Sequence, residues 1–495
     1  MNRLSFMKNL GLASLAVSLM FLPSMACAVV YWELHMLVVF LLSAFAALFL
    51  GGLLYLVGIK ADGRLYHRET LALVGVGWLL TAFYGALPYL LSCQLSFVDA
   101  YFESMSGFTT TGASVFAHVE ALPNSLLFWR SFTHWLGGLG IILLLIVVLP
   151  FLGAGGKLLY RSEIPGLDKS SLRPRIKDSA IILLKIYLIL TVVETILLLI
   201  AGMNPFDALC HTFGTLATGG FSTHTKSVAA FNSPLIEAII TIFMMIAGTS
   251  FSLLFLLGKR KFKKVLGNVE FRFYIFIIAV SSLLIFVNLH TADKPLPSFI
   301  GTSDAAPPDI WDHVRASLFQ TVSVMTTTGF ATVDFNMWPE FSRALLVILM
   351  FIGGCSGSTG GGIKVVRIFL LLNLAFKHLV HTFSPKKIHI IRVDNLILPK
   401  EHVISLLTFF TIYILAVAAS TLYMAFLDLP LVTSFTAVAA CLNNIGPGLE
   451  LVGATGHYGL VPASGKLLLS FLMAMGRLEL YAICVLFIPS FWKRY

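Results

Sequence analysis

Charge is scarce in this sequence. Asp, Glu, Lys and Arg make up 12% of its 495 residues, about half the ~25% usual for soluble domains. No hydrophilic stretch is large enough to fold as a soluble domain, which argues against soluble catalysis and nucleic-acid binding. Cysteine is sparse and unpatterned: Cys27, Cys93, Cys210, Cys355, Cys441 and Cys484 sit in apolar or small-residue segments without C-x-x-C spacing. That fits neither a disulfide framework nor a zinc site, so they read as packing residues. The thirteen histidines lie mostly in loops and make no metal-ligand pair on a spanning helix. A membrane enzyme or receptor with a midplane site thus lacks its residues.

What is present is apolar: 58% hydrophobic residues, 41 of them Phe, and a mean hydropathy of +0.89. This is the composition of an all-α integral membrane protein. Segments of spanning length, about 20 residues, lie near 9–29, 35–58, 71–91, 126–151, 179–202, 234–258, 273–290, 343–373, 403–426 and 466–491, ten spans in all. The first carries Arg3, Lys8 and Ala26-Cys27-Ala28 and has features of a signal peptide; an uncleaved helix is the preferred reading.

With the N-terminus cytoplasmic, the inner segments 59–70, 152–177, 259–272, 364–400 and 492–495 hold 24 Lys and Arg. The outer segments 92–125, 203–233, 291–315 and 427–464 hold 3. That asymmetry fixes the orientation. The runs Lys259-Arg260-Lys261 with Lys263-Lys264, and Lys386-Lys387, read as cytoplasmic anchors touching anionic lipid heads or as a docking surface for a cytoplasmic subunit.

Each outer segment carries an apolar stretch of ~12 residues, too short to span, and then a glycine turn. Aligned on that glycine they read DAYFESMSGFTTTG (Asp99 to Gly112), DALCHTFGTLATGG (Asp207 to Gly220), ASLFQTVSVMTTTG (Ala316 to Gly329) and TSFTAVAACLNNIG (Thr433 to Gly446). The second column is small (Ala100, Ala208, Ser317, Ser434), as is the eighth (Ser106, Gly214, Ser323, Ala440), and small columns let helices pack closely. The spans that follow align on Gly138, Gly248, Gly354 and Gly476. Helix, re-entrant loop and helix therefore recur four times, dividing the chain into a leading hairpin (1–70) and units at 71–177, 178–272, 273–400 and 401–495, with a pore on their common axis.

Non-helical backbone at membrane depth is tolerated only where protein buries it or water fills a cavity. The turns Thr110-Thr111-Gly112, Thr218-Gly219-Gly220, Thr327-Thr328-Gly329 and Asn444-Ile445-Gly446 can supply rings of carbonyls that replace an ion's hydration shell, with Thr hydroxyls as additions. In the second span of the third unit, Gly353-Gly354-Cys355-Ser356-Gly357-Ser358-Thr359-Gly360-Gly361-Gly362, followed by Ile363 and Lys364, breaks the helix, since each glycine lowers helix propensity by up to ~1 kcal/mol. It is no phosphate-binding loop, which needs Gly-Lys-Ser/Thr in sequence. Arg477 in the middle of the last span must face a bundle interior or an aqueous cavity, or pair with Glu479 or Glu194.

The strings SGFTTTGA, TGGFSTH (218–224), QTVSVMTTTGF, NNIGPGL, GGCSGSTGGGIK and YRSEIPG (160–166) resemble the Trk/Ktr/HKT potassium-uptake superfamily, and within it the bacterial TrkH/TrkG subunits, over nearly the whole chain. The resemblance implies K⁺ passage through one pore in the bacterial cytoplasmic membrane, with the four glycine turns as the selectivity filter. It implies that residues 353–362 with Lys364 form a mobile loop obstructing the pore below that filter, and that Arg477 is an electrostatic barrier. It further implies homodimers, a cytoplasmic nucleotide-binding TrkA-like partner, and no cofactor beyond the transported K⁺. Na⁺ permeation or cation/H⁺ symport by the same fold stay open. Among the other ionisable groups, Arg130, His134, Lys185 and Glu237 read as interfacial, and Asp99 and Asp207 as N-caps of the re-entrant helices.

Overall fold

The computed structural model describes residues 2–61, 66–93, 95–148, 172–292, 309–384, 392–393, 396–397 and 400–493. The string at 160–166, most of the basic segment 152–177, and Lys386-Lys387 lie outside the described residues. Among the described residues helix dominates, and strand is confined to the antiparallel pair Arg392–Val393 and Leu396–Ile397. Seven helices are long and apolar enough to cross a membrane, or up to nine if each of two bent pairs counts as one span. The chain is a multi-pass membrane protein.

Each of the ten expected positions falls on helix, yet not every span is straight. The interruption expected in the third unit is there: Glu340–Ile352 ends at Gly353, and Val365–Phe383 resumes after the glycine run. Two further spans, read from sequence as continuous over 234–258 and 466–491, are bent. Pro234–Ala247 meets Phe251–Gly258 at 104°, and Ala463–Arg477 meets Tyr481–Phe487 at 120°. The breaks fall at or beside the aligned glycines Gly248 and Gly476, whereas Asn124–Val148 runs on through Gly138. After Arg477 the turn is made by Glu479 and Leu480, both left-handed at φ 55° and 61°.

In the first and fourth units a glycine is needed for contact with the re-entrant helix. The four such helices are Phe97–Phe108, Pro205–Leu216, Ile310–Met325 and Leu431–Leu442, all too short to span. In those two units the C-terminal carbonyl presses on the following span: a Cβ on Gly476 would lie 1.9 Å from the Leu442 oxygen, and one on Gly137 would lie 2.3 Å from the Phe108 oxygen. The small second-column residues Ala100, Ala208, Ser317 and Ser434 are buried, as close helix packing requires.

At their outer ends the first three re-entrant helices are capped by side chains, though not by the residues expected. Ser96 and Asn204 accept from the backbone N–H of Asp99 (3.2 Å) and Asp207 (2.8 Å), so the two aspartates sit one turn inside, where the helix dipole favours them. Asp309 and Asp312 make a reciprocal capping box on the third. Asp99 instead takes a charged hydrogen bond from Lys466, joining the first unit to the fourth.

The leading hairpin, Arg3–Val30 and Leu34–Val57, packs on itself where Gly11 and Gly51 let the backbones touch; a Cβ on Gly11 would lie 2.7 Å from the Gly51 oxygen. It holds the first unit through Phe21 stacked on Trp129, with ring centroids 4.5 Å apart. The Glu33 carboxylate accepts from the N–H groups of Asn124 (2.7 Å) and Ser125 (3.0 Å), capping the helix that follows the first turn.

Two glycines on different faces test this packing. Gly476→Ala drives a methyl into the Leu442 carbonyl and lowers stability by about 1–3 kcal/mol. Gly52→Ala, where a Cβ meets nothing within 4 Å, raises it by roughly 0.5–1 kcal/mol. Thermal unfolding of the detergent-purified protein reads both, and equal melting shifts in the two variants would refute the contact argument.

Candidate functional site

Every re-entrant helix ends in the same way. The N–H groups of Thr110 and Thr111 bond the carbonyls of Gly107 (3.0 Å) and Ser106 (2.9 Å), the paired bonds of a Schellman motif. The pattern repeats with Thr218 and Gly219 on Thr215 and Gly214, Thr327 and Thr328 on Val324 and Ser323, and Asn444 and Ile445 on Cys441 and Ala440. The motif demands a left-handed residue, normally Gly or Asn. Here it is Thr110 (φ 52°), Thr218 (53°), Thr327 (61°) and Asn444 (56°). A β-branched residue in that region is an outlier and costs roughly 1–3 kcal/mol.

Two residues further on, Gly112, Gly220, Gly329 and Gly446 are left-handed as well, at φ 81°, 77°, 81° and 99°, while the residues between are not. Alternating handedness turns successive carbonyls toward one side of the chain. The four turns also touch in strict order. A Cβ on Gly112 would fall 2.1 Å from the Gly219 oxygen, one on Gly220 2.0 Å from Thr328, one on Gly329 1.9 Å from Ile445, and one on Gly446 2.7 Å from Thr111. The first unit thus meets the second, the second the third, the third the fourth, and the fourth the first. This is a closed ring.

All four glycines line a single outer cavity of about 100 Å³. The C-terminal ends of four helices converge below it, each carrying roughly −0.5 elementary charge. Such a ring can hold a dehydrated cation and offers nothing to an anion. The Thr hydroxyls are largely engaged within the protein: Thr111 accepts from Asn444 (3.0 Å) and Thr327 from the Gly361 N–H (2.6 Å), while Thr218 donates to Ala217 (2.6 Å). The Gly361 to Thr327 bond also joins the ring to the element beneath it, and so does the packing of Gly361 itself, whose Cβ would lie 2.2 Å from the Asn443 oxygen.

That element is the glycine run. Thr359 donates to Leu216 (2.9 Å) and Ala247 (3.2 Å), and Lys364, left-handed at φ 84°, donates back to the Gly360 carbonyl. The loop therefore crosses directly beneath the ring, touching the ends of the second, third and fourth re-entrant helices. It is latched laterally by Cys355 N–H to Gly248 (2.8 Å), Ser356 N–H to the Glu270 carboxylate (2.7 Å), and Phe251 N–H to Gly357 (3.0 Å). Beneath it the space lined by Lys364, Arg367, Arg477 and Glu479 is only ≈ 20 Å³, room for about one water.

Arg477 is 3% exposed and pairs with neither Glu479 nor Glu194. Its guanidinium donates to the carbonyls of Thr359 (2.7 Å) and Gly137 (3.0 Å), so the fourth unit is tied to the loop and to the first. Glu479 instead receives from Arg367 at 2.5 Å, and Glu194 is fully buried elsewhere, on Leu172–Ile200.

Of the other groups read as interfacial, three are buried, and one of them, Arg130, lines the outer cavity. Arg130, 2% exposed, donates to Glu103 (2.9 Å), Ser222 (3.2 Å) and Ser114 (3.1 Å) and lies 4.1 Å over the Phe221 ring. His134 bonds the Gly107 carbonyl at 2.8 Å, and Glu237 pairs with Arg315 at 3.1 Å; Lys185 alone of the four is exposed. A charge facing lipid and one facing a protein partner look alike in sequence. The overlooked partner Glu103 had one signal, a carboxylate in the middle of an apolar re-entrant helix. Glu270 was overlooked too, and so was Tyr458, whose hydroxyl donates to Gly446 at 2.8 Å. Among the described residues all six cysteines are free, Cys210, Cys355 and Cys441 fully buried, and no group of three ligands that could hold a metal occurs.

Outside the spans, the loops of the first two units are joined by a titratable cluster. His224 lies 3.4 Å from Asp207 and 4.0 Å from Glu120, and Thr225 N–H donates to Glu120 at 2.7 Å. Partial burial by itself would raise the Asp207 carboxyl, but hydrogen bonds from His224, Thr223 and Asn204 outweigh it and hold the group down at about 2. The bond to Asp207 raises the His224 imidazole against the opposing effect of burial. The histidine contribution is therefore complete below its ordinary value of 6.5 and lost as pH rises through the raised one. The aspartate contribution is complete above 3.8 and lost only toward 2. Hydrogen exchange of the 222–226 amides, corrected for intrinsic rate, accordingly accelerates as pH climbs past the raised His224 value, and His224→Asn abolishes that step; a step that survives the substitution would assign it to another group.

Residues 37–494 match the family described as TrkH, cation transport protein. The chain is 39% identical over 458 residues, 91% of either chain, to the Trk system potassium uptake protein TrkH of Escherichia coli K12. It is 36% identical over 492 residues, 99% of either chain, to the protein of that name from Halomonas elongata. The crystal structure of the potassium transporter TrkH from Vibrio parahaemolyticus superposes on it with a TM-score of 0.89 at 35% identity, covering 100% of both chains. On the strength of a match that runs through all four ring-forming turns and the glycine loop beneath them, this chain belongs to the TrkH family of cation transport proteins.

Proposed function

We propose that this protein is the pore-forming subunit of a Trk-type potassium uptake system in the bacterial cytoplasmic membrane. The reading rests above all on the closed ring, in which each unit's glycine packs against the next unit's carbonyl. The names of the relatives support the ion. In this reading Thr110 to Gly112, Thr218 to Gly220, Thr327 to Gly329 and Asn444 to Gly446 form the filter. K⁺ is held by backbone oxygens whose number and field suit a dehydrated monovalent ion. It is cargo, and the chain is a transporter rather than an enzyme, with no cofactor of its own. The units 71–177, 178–272, 273–400 and 401–495 each contribute one quarter of the pore after the leading hairpin 1–70.

The loop from Gly353 to Gly362, with Lys364, is the gate. It crosses the permeation path immediately below the filter, and a cation of any size must displace it to pass. Arg477 sets a positive charge at the same level, which in a low-dielectric pore opposes cations strongly. Opening moves the loop sideways and takes the Thr359 carbonyl away from that guanidinium, a hinge motion for which the left-handed Gly353, Gly357 and Gly362 are suited. Regulation comes from outside the chain, through a cytoplasmic nucleotide-binding TrkA-like subunit acting on a homodimer.

Radioactive rubidium uptake into proteoliposomes, with K⁺ and Na⁺ as competitors, tests both assignments. Wild-type uptake is blocked by K⁺ and not by Na⁺. Gly329→Ser forces a side chain against the Ile445 oxygen in a left-handed backbone, so K⁺ over Na⁺ discrimination falls at least about tenfold, equivalent to ~1.4 kcal/mol. Arg477→Ala raises flux several-fold with discrimination retained. Unchanged discrimination in Gly329→Ser would remove the glycine-filter assignment, and unchanged flux in Arg477→Ala would remove the barrier.

A further inference from the structure

Away from the axis, the bend in the second unit creates a second feature. The angle between Pro234–Ala247 and Phe251–Gly258, closed by Phe262–Leu266 and the start of Val269–Thr291, encloses a groove of about 390 Å³, within the ~300–1,000 Å³ of small-molecule sites. Ile242, Ile246, Leu254, Leu257, Phe271 and Ile275 are among its walls. The one polar side chain lining it, Thr249, spends its hydroxyl on the Met245 carbonyl at 2.9 Å. Ile242, Leu257, Phe262 and Leu266 are exposed, so the groove opens sideways into the hydrocarbon.

The cytoplasmic rim is the opposite in character. Lys259, Arg260, Lys261, Lys263 and Lys264 are all exposed, five cations in six residues, and no acidic residue occurs between Glu237 and Glu270. Glu270 does not offset them, because its carboxylate is turned inward to the Ser356 N–H. An apolar slot excludes soluble anions, and a purely apolar occupant would leave the cations unused. Charge complementarity and the open side together select an amphiphile with a hydrocarbon tail and an anionic head.

We propose that this groove is a binding site for an anionic glycerophospholipid, and that its occupancy steadies the closed loop. The second half rests on the gate reading given above. The loop's lateral latches are made by chain neighbours of the groove's walls: Gly248 beside Thr249 accepts from Cys355, Phe251 two residues before Leu253 donates to Gly357, and Glu270 beside Phe271 accepts from Ser356. The groove is open in the conformation in which the loop crosses beneath the ring. A ligand stabilises the state that binds it, so a tail wedged between the two half-helices holds their angle and keeps the latches made.

The test uses the full-length protein and two variants: one with Lys259, Arg260, Lys261, Lys263 and Lys264 all changed to Gln, and Ile275→Trp, which fills the groove and leaves the rim charged. Native mass spectrometry from nanodiscs of phosphatidylcholine with phosphatidylglycerol reads binding without any need for transport. Wild type retains phosphatidylglycerol in preference to phosphatidylcholine, and both variants lose that preference. In proteoliposomes, rubidium flux through wild type is several-fold slower with phosphatidylglycerol than in phosphatidylcholine alone, and both variants are insensitive to the exchange. No preferential retention by wild type overturns the site. Loss in the five-Gln variant but not in Ile275→Trp also overturns it, since the basic run would then act without the groove, as a partner-docking surface does. Preferential retention with lipid-independent flux overturns the coupling to the loop. Absence of flux in every lipid would count against the transport reading, while retention would still decide the site.

Discussion

A left-handed residue at the end of each re-entrant helix is the constraint on which the rest of the architecture hangs. Thr110, Thr218 and Thr327 adopt a backbone that L residues avoid, at a cost of roughly 1–3 kcal/mol each. They are kept there by the paired Schellman hydrogen bonds and by complete burial. Helix propensity alone would carry the chain onward past the ring; the turn stops it and reverses the direction of the carbonyls. Gly112, Gly220, Gly329 and Gly446 then complete the alternation, each filling a space that the neighbouring unit's oxygen leaves too small for a methyl group.

Bringing four helix C-termini to one place concentrates negative potential and unsatisfied carbonyls, and the inner elements answer both. Thr359 and Arg477 supply hydrogen-bond donors to Leu216, Ala247 and Gly137, while Arg477 and Lys364 bring positive charge to the level below. In the proposed gate reading, the same contacts that satisfy these carbonyls also close the path. In that reading, opening the loop and satisfying those carbonyls are competing demands, and a regulatory subunit would act by changing their balance. The loop's side latches on Gly248, Phe251 and Glu270 extend that balance to the cytoplasmic half of the second unit.

Much of this was legible in the chain. The fourfold recurrence of a small eighth column has a direct structural meaning: Ser106, Gly214, Ser323 and Ala440 carry the carbonyls that accept the bonds closing the Schellman turns. The interruption at residues 353–362 was equally plain, because six glycines in ten residues leave no side chains to stabilise a helix. Other features were misread for a physical reason. Arg130 and His134 looked interfacial because a position near a span end says nothing about whether the side chain faces lipid or a neighbouring helix. The bends at Gly248 and Gly476 looked like straight helix because a single glycine is tolerated in a span unless something presses on it. The caps Ser96 and Asn204 were displaced by the more conspicuous Asp99 and Asp207 three residues later.

The sequence by itself determined that the chain lives in a membrane, through its hydropathy, while charge asymmetry and periodicity along the chain set the expected orientation of its spans and the expected fourfold unit. Only the tertiary structure decided that the four turns form a closed ring in chain order, that Arg477 bonds carbonyls of two other units rather than a carboxylate, and that a bent span opens an apolar groove beneath a cationic rim. Those facts depend on which residues meet across hundreds of positions of chain. Contacts of that kind arise from packing in three dimensions and leave no mark on local composition.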